Sequence, residues 1–208
     1  MRIRHLALAA LALTSLNAHA ELTTYAPWDT ALPNIAGVQF NVQSYNSGGT
    51  TGTVAMGAHA FKNGVYLAND GSTTYYAAGG LFEPNRANWS FDYAWDLSGC
   101  SGCSVELWVD VDAGSGTNFQ QLALVNPSAT SYFESWNMEM TFIDGELYDF
   151  DPFSPSSTGF SLRLIGADGS ELTRSEINVD VPEPGSMALL GLGIAGMGLV
   201  ARRRRRSA

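Results

Sequence analysis

Cysteine is almost absent from this chain, with Cys100 and Cys103 the only two in 208 residues. A zinc site of soft ligands would need two more, and a thioredoxin-like centre would need a βαβ context that this sequence does not offer. Positive charge is scarce wherever a domain could fold. Seven of the eleven Lys and Arg residues lie at the two ends, leaving Lys62, Arg86, Arg163 and Arg174 against nineteen acidic residues between positions 21 and 180, a formal balance of −15. Such a surface repels nucleic acid and anionic membranes, both of which are bound through basic patches. Histidine beyond residue 20 is reduced to His59, and there is no G-x-S-x-G or H-E-x-x-H segment. Triad-hydrolase and zincin chemistry therefore have no support from motifs. Amphipathic helical periodicity and a fixed repeat are also missing, which disfavours helical bundles, solenoids and propellers.

A two-residue alternation of apolar and polar side chains is present instead. It runs through Val38, Phe40 and Val42, through Trp89, Phe91, Tyr93 and Trp95, and through Val105, Leu107, Val109 and Val111. It returns at Trp136, Met138, Met140 and Phe142, at Phe160, Leu162 and Leu164, and at Ile177 and Val179. Each stretch reads as a strand with one buried and one wet face. Asn46-Ser47-Gly48-Gly49, Asn69-Asp70-Gly71-Ser72, Asp144-Gly145 and Ala167-Asp168-Gly169-Ser170 supply turns between them. The expected fold is all-β, an antiparallel β-sandwich of jelly-roll or immunoglobulin-like type over residues 21–180, with eight to ten strands.

The two ends carry a different message. Arg2 and Arg4, an apolar run from Leu6 to Leu16, and Ala18-His19-Ala20 before Glu21 make a secretory signal peptide over residues 1–20, cleaved so that the mature chain begins at Glu21. At the other end Val181-Pro182-Glu183-Pro184-Gly185-Ser186 precedes an apolar segment, 187–201, and then Arg202, Arg203, Arg204, Arg205 and Arg206. Fifteen residues as a helix span about 22 Å of a hydrocarbon core about 30 Å thick, so the segment is a marginal membrane helix. The arginines hold their side in the cytoplasm and place Pro182 to Pro184 at the outer face. Gly191, Gly193 and Gly196 spell G-x-G-x-x-G, but no strand precedes them, so they are not a dinucleotide fingerprint.

Residues 181–208 as a set resemble the PEP-CTERM sorting signal. That resemblance implies a Gram-negative exported protein and recognition near Val181, Pro182, Glu183 and Pro184 by an exosortase-type membrane peptidase. It also implies transient anchoring in the inner membrane and delivery to the cell surface or an extracellular matrix such as a biofilm.

Candidate sites within the exported part are few. In an oxidising compartment, Cys100 and Cys103 on the turn after the Trp89 stretch read as a disulfide pinning a hairpin, with metal, redox and free-thiol roles as alternatives. Asp110, Asp112 and Asn118 begin like a calcium loop, but Gly114 and Gln121 stand where EF-hand ligands belong, so they are weak candidate ligands beside a plain acidic hairpin. Trp108 shares the parity of Glu106 and Asp110, which makes it a sugar-stacking platform or a packed side chain. The expected function is a non-catalytic structural or adhesive protein without a cofactor. The alternative is a carbohydrate-binding module or carbohydrate-active enzyme acting on extracellular polysaccharide through a carboxylate pair.

Overall fold

The computed structural model describes residues 21–62, 66–112, 114, 116–125, 130–145 and 147–183. The chain opens with β1 (Leu22–Thr24), a short helix α1 (Ala26–Ala31), a 3-10 turn (Pro33–Ile35), β2 (Gln39–Ser47) and β3 (Thr50–Ala60). Four short strands follow: β4 (Ala68–Asn69), β5 (Thr74–Tyr76), β6 (Leu81–Glu83) and β7 (Arg86–Ala87). The long ones are β8 (Trp89–Ser98), β9 (Ser104–Asp110), β10 (Phe119–Val125), β11 (Ser131–Asn137), β12 (Ser156–Ile165) and β13 (Glu171–Val181).

The protein is all-β in its described part. One sheet has the order β1-β2-β3-β8-β11, the other β10-β9-β12-β13-β5-β4, and β6 pairs only with β7. Every pairing is antiparallel except β13 with β5, so the second sheet is mixed rather than purely antiparallel. Trp89, Phe91, Tyr93 and Trp95 of β8 and Val105, Leu107 and Val109 of β9 point inward with Phe160, Leu162 and Leu164 of β12, forming the main core. Phe91 and Phe160, from opposite sheets, stack at 4.3 Å between ring centroids. Hydrogen bonds also cross between the sheets: Asn41 Nδ2 donates to the Glu176 carbonyl at 2.8 Å and Ser175 Oγ to the Asn41 carbonyl at 2.6 Å.

Three expectations from the sequence need correction. Phe40 and Val42 do not join the main core. They face the opposite side of their sheet, where α1 and the 3-10 turn fold over it and Tyr25, Trp28, Val38, Phe40, Ala55 and Ala94 form a second cluster. Because of that cover, Ser90, Asp92 and Ala94, expected on the wet face of β8, are buried. Second, the alternation from Trp136 to Phe142 is not one strand. β11 stops at Asn137, whose side-chain amide donates to the Ala87 and Trp89 carbonyls and accepts from the Ala87 N–H, and turns carry the chain onward. Third, Cys100 and Cys103 do not sit on a hairpin, because β8 and β9 belong to different sheets. They form a disulfide across an inter-sheet crossover, their Cα atoms 5.6 Å apart, with Cys103 buried in the main core.

Trp28 fixes the N-terminal cover. Its ring packs on Phe40 at 4.8 Å, its Nε1–H donates to the Ile35 carbonyl at 3.2 Å, and it is fully buried. Trp28→Ala is expected to cost about 3–5 kcal/mol of unfolding free energy, read from a denaturant melt, since a cavity replaces an aromatic anchor.

Candidate functional site

The C-terminal end of β13 is where the folded part of the chain meets the segment expected to carry the sorting signal. Ile177, Val179 and Val181 alternate inward while Glu176, Asn178 and Asp180 face outward, which keeps β13 paired with β12 on one side and β5 on the other. Pro182 then ends the ladder, because proline brings no N–H to it. Val181, expected at the start of the sorting motif, is the last strand residue and is buried in the main core, so the fold extends one position beyond residue 180. Pro182 and Glu183 are exposed. A cavity of about 470 Å³ lies against this exit, lined by Tyr76, Pro155, Ser156, Ser157, Val181 and Pro182 among others.

Several expected positions fall outside the described residues: the signal peptide with Ala18 and Ala20, Pro184, the 187–201 segment, and Arg202, Arg203, Arg204, Arg205 and Arg206. Glu21 is the first described residue and is exposed. Among the described residues no helix is long and apolar enough to cross a membrane.

Asp110, Asp112 and Asn118 do come together, at the β9–β10 hairpin. Asp110 Oδ1 accepts the backbone N–H groups of Asp112 and Asn118 at 3.0 and 2.7 Å, and Asp112 Oδ1 accepts that of Gly114 at 2.9 Å. These contacts are the Asx type by which a short acidic side chain closes a turn. Asp144 and Asp151 act similarly, accepting the N–H groups of Phe150 and Phe153. Among the described residues no group of three His, Cys, Asp or Glu side chains is placed to hold a metal.

Trp108 lies half-buried on the outer face of the second sheet. The Arg163 guanidinium sits 4.7 Å from its ring centroid and its Nε1–H donates to Glu106 Oε2 at 3.0 Å. Arg163 occupies one aromatic face, and the remaining cation of that sheet, Arg174, pairs with Glu171 and Glu176 at 3.1 and 2.9 Å. The stacking platform suggested by parity is thus a cation–π contact within the protein.

Two groupings escaped the sequence reading. His59 Nδ1 lies 2.8 and 3.1 Å from the two Asp92 oxygens, with both residues buried on the covered face of the first sheet. They are 33 positions apart, and their proximity follows from the β3–β8 register, which pairs His59 with Ser90 and Gly57 with Asp92. His59 also lines a cavity of about 340 Å³ with Ile35, Phe61, Ser90, Ser135 and Met140. The second grouping is Glu139 with Asp144, which line a cavity of about 530 Å³ together with Arg86, Met140 and Phe142. Glu139 Oε1 is shielded and has no partner among the described residues, and desolvation, followed by the Asp144 and Asp151 charges, raises its carboxyl above the ordinary value.

Burial alone would lower the His59 pKa, but the charge and hydrogen bond of Asp92 outweigh it and raise the value above 6.5. A raised folded-state pKa stabilises the fold fully below about 6.5, and that contribution is lost as pH rises through the folded value. An NMR titration of His59 should therefore show a midpoint above 6.5. Asp92→Asn should bring it below 6.5, with a stability loss of about 3–5 kcal/mol near neutral pH from breaking a buried pair.

No curated protein matches this chain. Residues 180–206, whose first two positions are the last two of β13, match the PEP-CTERM protein-sorting motif, and the chain is by that segment an exported protein that exosortase, a membrane protein, recognises and that is transiently anchored in the membrane.

Proposed function

We propose that this is an exosortase-processed protein of the cell surface or extracellular matrix, whose acidic domain has a structural or adhesive role without catalysis. The observation that carries the reading is the direct passage of β13 into the matched sorting segment, which makes the folded domain the cargo of that segment. In this reading residues 1–20 are removed on export, and 187–201 with Arg202 to Arg206 form the transient inner-membrane anchor. The two facing sheets form a β-sandwich of jelly-roll or immunoglobulin-like type. The acidic balance of residues 21–180 suits a soluble element of a hydrated polysaccharide matrix.

Mass spectrometry of the protein recovered from cells that contain the peptidase tests this. The mature form should begin at Glu21 and lack Arg202 to Arg206. A secreted or surface form that retains those arginines would sink the proposal.

One observation favours a second reading, a carbohydrate-active enzyme or carbohydrate-binding module. Glu139 and Asp144 share a cavity with the half-exposed Phe142 ring, and burial followed by the Asp144 and Asp151 charges raises the Glu139 carboxyl, the direction in which a general acid is tuned. On that reading Glu139→Gln lowers polysaccharide hydrolysis by about 10²-fold or more with an unchanged melting curve. Purified domain that neither cleaves nor binds a panel of neutral and acidic polysaccharides removes it.

A further inference from the structure

The sorting match starts before the last strand ends, so Asp180 and Val181 belong both to β13 and to the matched segment. Both are held firmly. Val181 pairs with Ser156 of β12, and Asp180 pairs with Tyr76 of β5. The Ala77 N–H donates to the Asp180 carbonyl at 2.9 Å. On the outer face Asp180 Oδ1 accepts from Ser157 Oγ at 2.7 Å and from Asn178 Nδ2 at 2.5 Å, while Asn178 Nδ2 also donates to Ser157 Oγ at 2.8 Å. The Val181 side chain is only 4% exposed, locked in the main core.

A peptidase that binds an extended substrate must surround its backbone. Strand β12 lies beside residues 180 and 181 and β5 beside residues 178–180, each at about 4.8 Å, closer than any enzyme wall can fit. Pro182 and Glu183, fully extended, add only about 7 Å of reach beyond the sheet. The first matched residues are therefore closed to a cleft while β13 is intact.

We propose that processing is gated by the end of β13: residues 178–181 must detach from β12 and β5 before the peptidase can engage the motif, so the domain's local stability sets the rate of its own release. The inference rests on the reading of the tail as an exosortase substrate. Strand ends open locally without global unfolding, and the Asp180 network determines how often this one does. Recognition and folding thus compete for the same space, because an enzyme that grips the chain from Pro182 onward needs the room that β12 and β5 hold beside the end of β13.

Pulse-chase of the full precursor in cells containing the peptidase tests the gate, comparing the natural chain with two variants. One inserts Gly-Ser-Gly-Ser between Val181 and Pro182, outside the core. The other is Ser157→Ala, which removes a donor to Asp180 from a residue outside the matched segment. The spacer should raise the initial processing rate about tenfold, and Ser157→Ala should raise it roughly three- to tenfold, the net worth of one ordinary hydrogen bond while Asn178 still donates to Asp180. Equal rates for all three chains overturn the gate and leave the sorting reading standing. Failure of both the natural and the spacer chain to be processed overturns the sorting reading and the gate with it.

Discussion

The structure depends on one strand that is buried on both faces. The inward side of β8 presents Trp89, Phe91, Tyr93 and Trp95 to the main core, and its outward side presents Ser90, Asp92 and Ala94 to the covered face of the first sheet. The aromatic side makes the hydrophobic payload of the fold, since rings of this size dominate core energetics. The polar side can be buried only because its groups are satisfied: Asp92 by His59, and Ser90 by the Asn137 amide at 3.3 Å. The N-terminal cover follows, because Phe40, Ala55 and Ala94 would otherwise form an exposed apolar patch beside a buried ion pair.

β13 has the complementary task of ending the fold at a defined place. It is an interior strand of its sheet, so its end opens only by leaving two neighbours, β12 and β5, where a chain leaving an edge strand would leave one. The transition is compressed into the step from buried Val181 to exposed Pro182. The same alternation that closes the core therefore decides where a recognition enzyme first finds accessible backbone. Folding and sorting meet within a few residues.

The outer surfaces of the domain are largely self-satisfied. Arg163 and Arg174 are engaged with Trp108, Glu171 and Glu176, and the acidic turns spend Asp110, Asp112, Asp144, Asp151 and Asp168 on their own backbone N–H groups or, at Asp168, also on Ser170. These carboxylates close the turns that join the strands. The Glu139 and His59 cavities differ in that each holds a titratable group shifted by its surroundings, and neither was signalled by a motif.

The sequence alone determined the all-β class, the inward stripes of β8, β9, β12 and β13, the acidic balance and the sorting signal, though it led to eight to ten strands where the described residues hold thirteen. Each of these is local: period-two alternation, composition, or a contiguous motif. Only the tertiary structure decided that Phe40 faces a second cluster, that the Cys100–Cys103 bridge lies in the crossover between the two sheets, and that Trp136 to Phe142 breaks at Asn137. It also brought His59 to Asp92 and placed Val181 inside the core. Parity states that two faces differ but not which neighbour covers each, and partners 33 or more positions apart meet only through strand register, which one chain's pattern does not encode.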